Sequence, residues 1–141
     1  MIHFQLVSLG GPKYDDEAYE VLVPTRGGPV SIFEDHMPLI SAALPGVLSV
    51  RKQANDPDSD LENFAINGGV VHVDGKNVRF IADDITTPDE VSEQEAAAAL
   101  KRAEALVESA GDQQALEEAH HLLRHSSAKL QVARLKKRHH R

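Results

Sequence analysis

Residue 85 separates two chemistries in this chain. Before it, short runs rich in Val, Ile and Phe are interrupted by Gly and Pro. After it the only glycine is Gly111 and the only proline is Pro88, while Ala, Leu, Glu and Lys dominate. Gly and Pro end regular elements and turn the chain, whereas an uninterrupted Ala/Leu/Glu/Lys stretch favours helix. The expectation is an α+β chain: a β-domain over 1–85, a helical regulatory unit over 86–141, and a hinge at DDITTPDEVSEQE.

A chain of 141 residues has room for one medium domain and an appendage. With no Cys, disulfides and thiolate metal sites are excluded. Trp is absent and aromatics make up 4%, which argues against an aromatic-lined site for bases or sugars. The net charge of −7 disfavours wholesale nucleic-acid binding. No apolar run reaches the roughly 20 residues that span a bilayer. The start, MIHFQLVSLG, lacks the basic and long apolar stretches of a signal peptide. A soluble chain is expected, with any membrane role peripheral.

The charge is unevenly spread. Residues 83–119 carry eleven Asp/Glu against Lys101 and Arg102, while residues 120–141 carry seven Lys/Arg and no acid. Cations at a helix C-terminus suit the helix dipole; the alternative is a docking surface for an acidic partner.

In the first part, IHFQLVSL reads as a strand with Ile2, Phe4 and Leu6 on one face and His3, Gln5 and Val7 on the other. GGPKYDD reads as a turn, EAYEVLVPT as a second strand, and VSIF as a short strand with Val30 and Ile32 on one face. EDHMP reads as another turn. LISAALPGVLSV gives two halves about a corner at Pro45-Gly46, and QANDPDSDLEN is a polar loop. NFAINGGVVHV and KNVRFIADD form a last hairpin turning at Asp74-Gly75. Six to nine short strands without helices imply an antiparallel sandwich or flattened barrel. Gly68-Gly69 inside a strand run marks a bulge or sheet corner. A phosphate loop, the other reading, would open onto a helix, and VVHV is none.

The tail opens with Ser92 three before Glu95, a capping box. Ala96, Leu100, Ala103, Val107 and Ala110 recur at helical spacing; Gly111 suits the residue past a helix end, and Asp112 caps a second helix. That helix repeats the pattern at Leu116, Ala119, Leu123, Ser126, Leu130 and Ala133. The two helices are expected to run antiparallel. About half the seam is Ala or Ser. A methyl-sized group contributes about 0.8 kcal/mol, and ordering a residue costs roughly 1–2 kcal/mol. Such a hairpin sits near balance between a folded and an open position.

The eight histidines were weighed for metal chemistry. His121 and His125 share a helix face and follow Glu118, but a bundle metal site needs ligands from a second helix too, so a polar helix face is expected. His139-His140 is expected to bind metal only adventitiously. His3, His36 and His72 would be the ligands of a cupin-like metalloenzyme, the competing reading. No nucleophile elbow, P-loop or dinucleotide fingerprint occurs. No catalytic residue, metal or cofactor is expected, and a free adaptor for an acidic partner is a third reading.

The chain resembles the epsilon subunit family of F-type rotary ATP synthases. PTRGGPVSIFEDHMPLISAALPGVLSV carries the family pattern at Pro24, Thr25, Gly28, Ile32, His36, Pro38, Leu39, Pro45 and Gly46. FAINGGVVHVDGKNVRFIAD carries a second block at Phe64, Gly68, Gly69, Val73, Val78, Ala82 and Asp83. ALKRAEAL and a second helix with a basic end resemble the family's C-terminal hairpin. The resemblance covers nearly the whole chain through the order and spacing of these motifs.

The resemblance implies a ten-stranded β-sandwich and a mobile helical hairpin. It also implies a non-catalytic place in the central stalk, bound to the gamma subunit and resting on the c ring at the cytoplasmic face of a bacterial membrane. Gly27, Gly28, Pro29, Val30, Ser31, Ile32, Phe33, Glu34, Asp35 and His36 match the segment facing the ring. Arg124, Lys129, Arg134, Lys136, Lys137 and Arg138 match the basic contacts by which an extended hairpin meets the alpha/beta catalytic head and inhibits hydrolysis. Two departures stand out. Where ATP-binding relatives carry Asp and Arg at the start of the first helix, this chain has Ser92 and Glu95, so an anion replaces the cation that would meet phosphate and no nucleotide binding is expected. Ser31 replaces a usual second Gly, which questions the local loop conformation.

Overall fold

The computed structural model describes residues 1–90 and 92–139, with the side chains of Pro88 and residues 136–139 outside the description. Eight strands run in chain order: β1 (Ile2–Ser8), β2 (Gly11–Ala18), β3 (Glu20–Thr25), β4 (Gly28–Ile32), β5 (His36–Arg51), β6 (Glu62–Gly75), β7 (Asn77–Ile81) and β8 (Ile85–Thr86). Two helices follow, α1 (Glu93–Ser109) and α2 (Gln113–His139). The hydrogen-bonded order is β2-β1-β7-β6-β5-β3-β4, with β8 added to β6.

The two longest strands make the sandwich. The first half of β5 pairs with the second half of β6, from Leu39↔Val73 to Ala43↔Gly69. The second half of β5 pairs with both β3, at Val21↔Val50, and the start of β6, at Leu48↔Phe64. Each strand therefore serves both layers, and eight strands fill ten strand places. The turn between layers shows in the side-chain alternation. Phe64 and Ile66 point into the core, then Val71 and Val73 do. The register with β5 runs unbroken through this change, from Leu48↔Phe64 to Leu39↔Val73, so the paired strands bend together from one layer into the other.

Gly68 and Gly69 sit at that bend, with φ of +84° and +151°. A Cβ on Gly69 would collide with the Ile81 carbonyl and lie 2.7 Å from the Phe80 ring. The pair is the sheet corner expected from the sequence. The core between the layers is apolar: Ile2, Phe4, Leu6, Ile32, Leu48, Ile66 and Phe80 are fully buried.

Three expectations are corrected. The turn expected over GGPKYDD is confined to Leu9-Gly10; Gly11–Ala18 is a strand, because Tyr14 and Ala18 bury against the core and the backbone pairs along β1. The sandwich is not wholly antiparallel, since β1 and β7 pair in parallel from His3↔Asn77 to Val7↔Ile81. A parallel pair needs a long crossover, and the intervening five strands provide it. The polar loop after β5 holds a short 3₁₀ turn at Asp58–Asp60. Arg51 pins it, reaching Glu20 at 2.9 Å, Asp58 at 2.7 Å and the Asp56 carbonyl. β8 lies across the boundary expected at residue 85, with Ile85 and Thr86 both buried.

Candidate functional site

The hairpin is the first candidate surface. Ser92 caps α1, its hydroxyl accepting from the Glu95 N–H at 3.4 Å. Asp112 caps α2, accepting from the Ala115 N–H at 2.7 Å. The first helix ends on Ala110 in an extended conformation rather than on a left-handed Gly111; an extended residue suffices because Asp112 starts the next helix two residues on. Ala96 and Ala103 face Ala119, Ser126, Leu130 and Ala133 across a closely packed seam, all of them buried.

A second face of α2 was not read from the sequence. Ala128 and Val132 bury against Ala65 of β6 and Val47 of β5, so the hairpin lies docked on the sandwich. His125 belongs to this face and is 7% exposed, whereas His121 is exposed. The expectation of a shared polar face therefore holds for His121 only. The signal was the 3-4 spacing of His125, Ala128 and Val132, a second buried stripe on one helix.

His125 is electrostatically unusual. Its Nε2 lies 3.6 Å from the Asp84 carboxylate, and its buried Nδ1 has no hydrogen-bond partner. Burial pushes its pKa below the ordinary 6.5; Lys129 adds to this, the Ile66 carbonyl and Asp84 oppose it, and His121 lowers it slightly.

The basic contacts are divided by the docked pose. Arg124 lines a groove between hairpin and sandwich with Pro45, Gly46 and Gln131. Arg134 meets Glu93 of α1 at 3.7 Å. Lys129 is half-buried beside His125. The side chains of Lys136, Lys137 and Arg138, like Val91 before Ser92, lie outside the described residues.

The segment from Gly27 to His36 is not one loop. Gly27 and Gly28 turn β3 into β4, where the Thr25 hydroxyl donates to the Gly28 carbonyl at 2.6 Å. Pro29, Val30, Ser31 and Ile32 lie in β4. Ile32 is fully buried, and Val30 is half-buried and packs on the core. Ser31 sits in a regular pair with Leu22, a conformation any residue adopts, which answers the question its replacement of Gly raised. Phe33, Glu34 and Asp35 form an exposed turn before His36. Asp35 takes φ of +64°, and Glu34 holds the N-terminal ammonium at 2.6 Å. That ammonium holds the Glu34 carboxyl below its usual range.

A third surface was missed. Ile40, Val70 and Ile81 are 73%, 46% and 53% exposed. Val70 pairs directly with Ile81, and Ala42 with Val70, so these side chains form one apolar patch on the outer face of β5, β6 and β7. Cross-strand and diagonal neighbours on a sheet face touch. The sequence signal was three apolar doublets, Leu39-Ile40, Val70-Val71 and Phe80-Ile81. Alternation forces one member of each doublet outward.

The sandwich histidines do not converge. His3 meets Asp15 at 2.7 Å on the outer surface, His36 contacts the Met37 carbonyl at 2.8 Å, and His72 lies between Ile40 and Arg79. Among the described residues no group of three metal-ligating side chains forms, and the barrel mouth that a cupin-like site requires is filled by apolar core. No described helix is long and apolar enough to cross a membrane.

Comparison with known proteins gives a consistent picture. The family described as ATP synthase, Delta/Epsilon chain, beta-sandwich domain matches residues 1–88. An ATP synthase epsilon chain of Neisseria meningitidis is 33% identical over 94% of this chain and 92% of its own length. The chloroplastic epsilon chain of Chlamydomonas reinhardtii is 26% identical over 90% of this chain and 91% of its own. A chain in the cryo-EM structure of the Euglena gracilis mitochondrial ATP synthase superposes with a TM-score of 0.76 at 19% identity. It covers 90% of this chain and 78% of that one, and shares the fold.

Proposed function

The chain belongs to the ATP synthase delta/epsilon chain family, and we propose that it is a non-catalytic subunit of the central stalk. In this reading the sandwich binds the gamma subunit and rests on the c ring, at the cytoplasmic face of the membrane, and turns with them. The observation that carries the reading is the exposed patch of Ile40, Val70 and Ile81 on the side of the sheet away from its core. Burying exposed apolar area is worth about 25 cal/mol per Å², and contiguous apolar faces mark partner sites. We assign this patch to gamma.

The c ring meets the exposed parts of the 27–36 segment, namely Gly27, Pro29, Ser31, Phe33, Glu34 and Asp35. The hairpin is the regulatory part. When extended, it carries Arg124, Lys129 and Arg134 toward acidic segments of the catalytic head. Nucleotide has no place in this reading, because Glu93 and Glu95 stand in the first turn of α1, where phosphate would bind. The test is co-purification with gamma. The wild-type chain is retained; Ile40→Asp with Ile81→Asp weakens retention at least tenfold while the isolated chain stays folded. Retention equal to wild type would refute the assignment.

A further inference from the structure

We propose that the seam between hairpin and sandwich is an acid-sensitive latch, in which protonation of the buried His125 releases α2 from the sheet. The inference rests on the docked pose itself, independently of which complex the chain joins.

Three observations meet at this side chain. Among the described residues it is the one titratable group in the second buried stripe of α2, beside Ala128 and Val132. Its Nδ1 is buried with no hydrogen-bond partner, so a proton added there would be a buried charge without a proper acceptor. The fully buried apolar part of the contact is small: Ala128 and Val132 of α2 against Ala65, with the half-buried Val47 beside them. Little apolar area holds the latch against a charge placed inside it.

The surrounding groups set the direction. From its own helix, Lys129 and His121 oppose a positive charge on His125. From the sandwich, Asp84 and the Ile66 carbonyl favour one. Asp84 is itself largely exposed, so water screens it, and burial is the largest influence. The docked form therefore holds fewer protons than the released form. Docking is at full strength above the ordinary pKa of 6.5 and weakens as pH falls below it. One linked proton changes the docking equilibrium by up to about tenfold per pH unit.

The chain contains no Cys, so two introduced ones can be labelled selectively in the full-length protein. A fluorophore pair at Asn55→Cys on the sandwich and Gln114→Cys at the hairpin tip reports docking by energy transfer. Between about pH 8 and about pH 5, the histidine range, wild type should lose energy transfer with a midpoint below that of a free histidine. His125→Gln should remove the transition, and His121→Gln should keep it. Asp84→Asn, which removes a carboxylate that favours the charged ring in the docked pose, should move it to higher pH. Amide protection of β1 and β7 verifies that the sandwich stays folded throughout. A wild-type signal flat across this range overturns the proposal, as does an unshifted transition in His125→Gln. If His125→Gln fails to dock at any pH, an unmoved midpoint in Asp84→Asn overturns it instead.

Discussion

Gly69 illustrates how a single residue fixes the architecture. It combines φ of +151° with a Cβ position already occupied by β7. Gly69→Ala should lower unfolding free energy by about 3 kcal/mol, read as a reduced urea midpoint at unchanged slope. Gly46→Ala, whose added methyl would touch only the Pro24 ring at 3.0 Å, should cost less, about 1 kcal/mol. Other residues were harder to read. Ile32 and Phe33 are neighbours of similar chemistry, yet one is core and the other lies in an exposed turn; the alternation that decides this depends on the register with β3. His125 was legible as part of a helix but not as buried, because its sheet-side partners Ala65 and Val47 lie far away in sequence.

Among the elements, the hairpin was the most legible and the most incompletely understood. Its two caps and its Ala/Ser seam follow from local spacing, which sequence displays directly. Asp112→Ala should cost the hairpin about 1 kcal/mol, seen as faster amide exchange at the start of α2 with the sandwich unaffected. The docking face escaped notice because Ala128 is a good helix former anywhere, and a single buried Val132 does not announce a partner. Strand β2 was missed for the opposite reason. Its Lys13, Asp15, Asp16 and Glu17 are exposed, and polar residues on an edge strand resemble a loop. Tyr14 and Ala18, its only inward side chains, give too sparse a pattern.

For the whole molecule, the docked arrangement divides the basic residues between internal and external use. Arg134 meets Glu93 and Arg124 lines the hairpin groove, and both stay exposed in the docked pose. Within the assembled enzyme, Arg124→Glu with Arg134→Glu should relieve inhibition of ATP hydrolysis severalfold, measured against the wild-type complex under identical conditions. Unchanged hydrolysis would separate the hairpin from that role. The fold class was visible in the change of residue usage at position 85, and the sandwich corner in its glycines. The exposed apolar patch of Ile40, Val70 and Ile81 was not read, although apolar doublets break the alternation there. One further property follows from the parallel join of β1 and β7. Strand β1 has its inner neighbour in the last third of the domain. A nascent chain that has not yet reached Asn77 leaves Ile2, Phe4 and Leu6 with a bare edge. Assembly of this layer must therefore wait for nearly the complete domain to be synthesised.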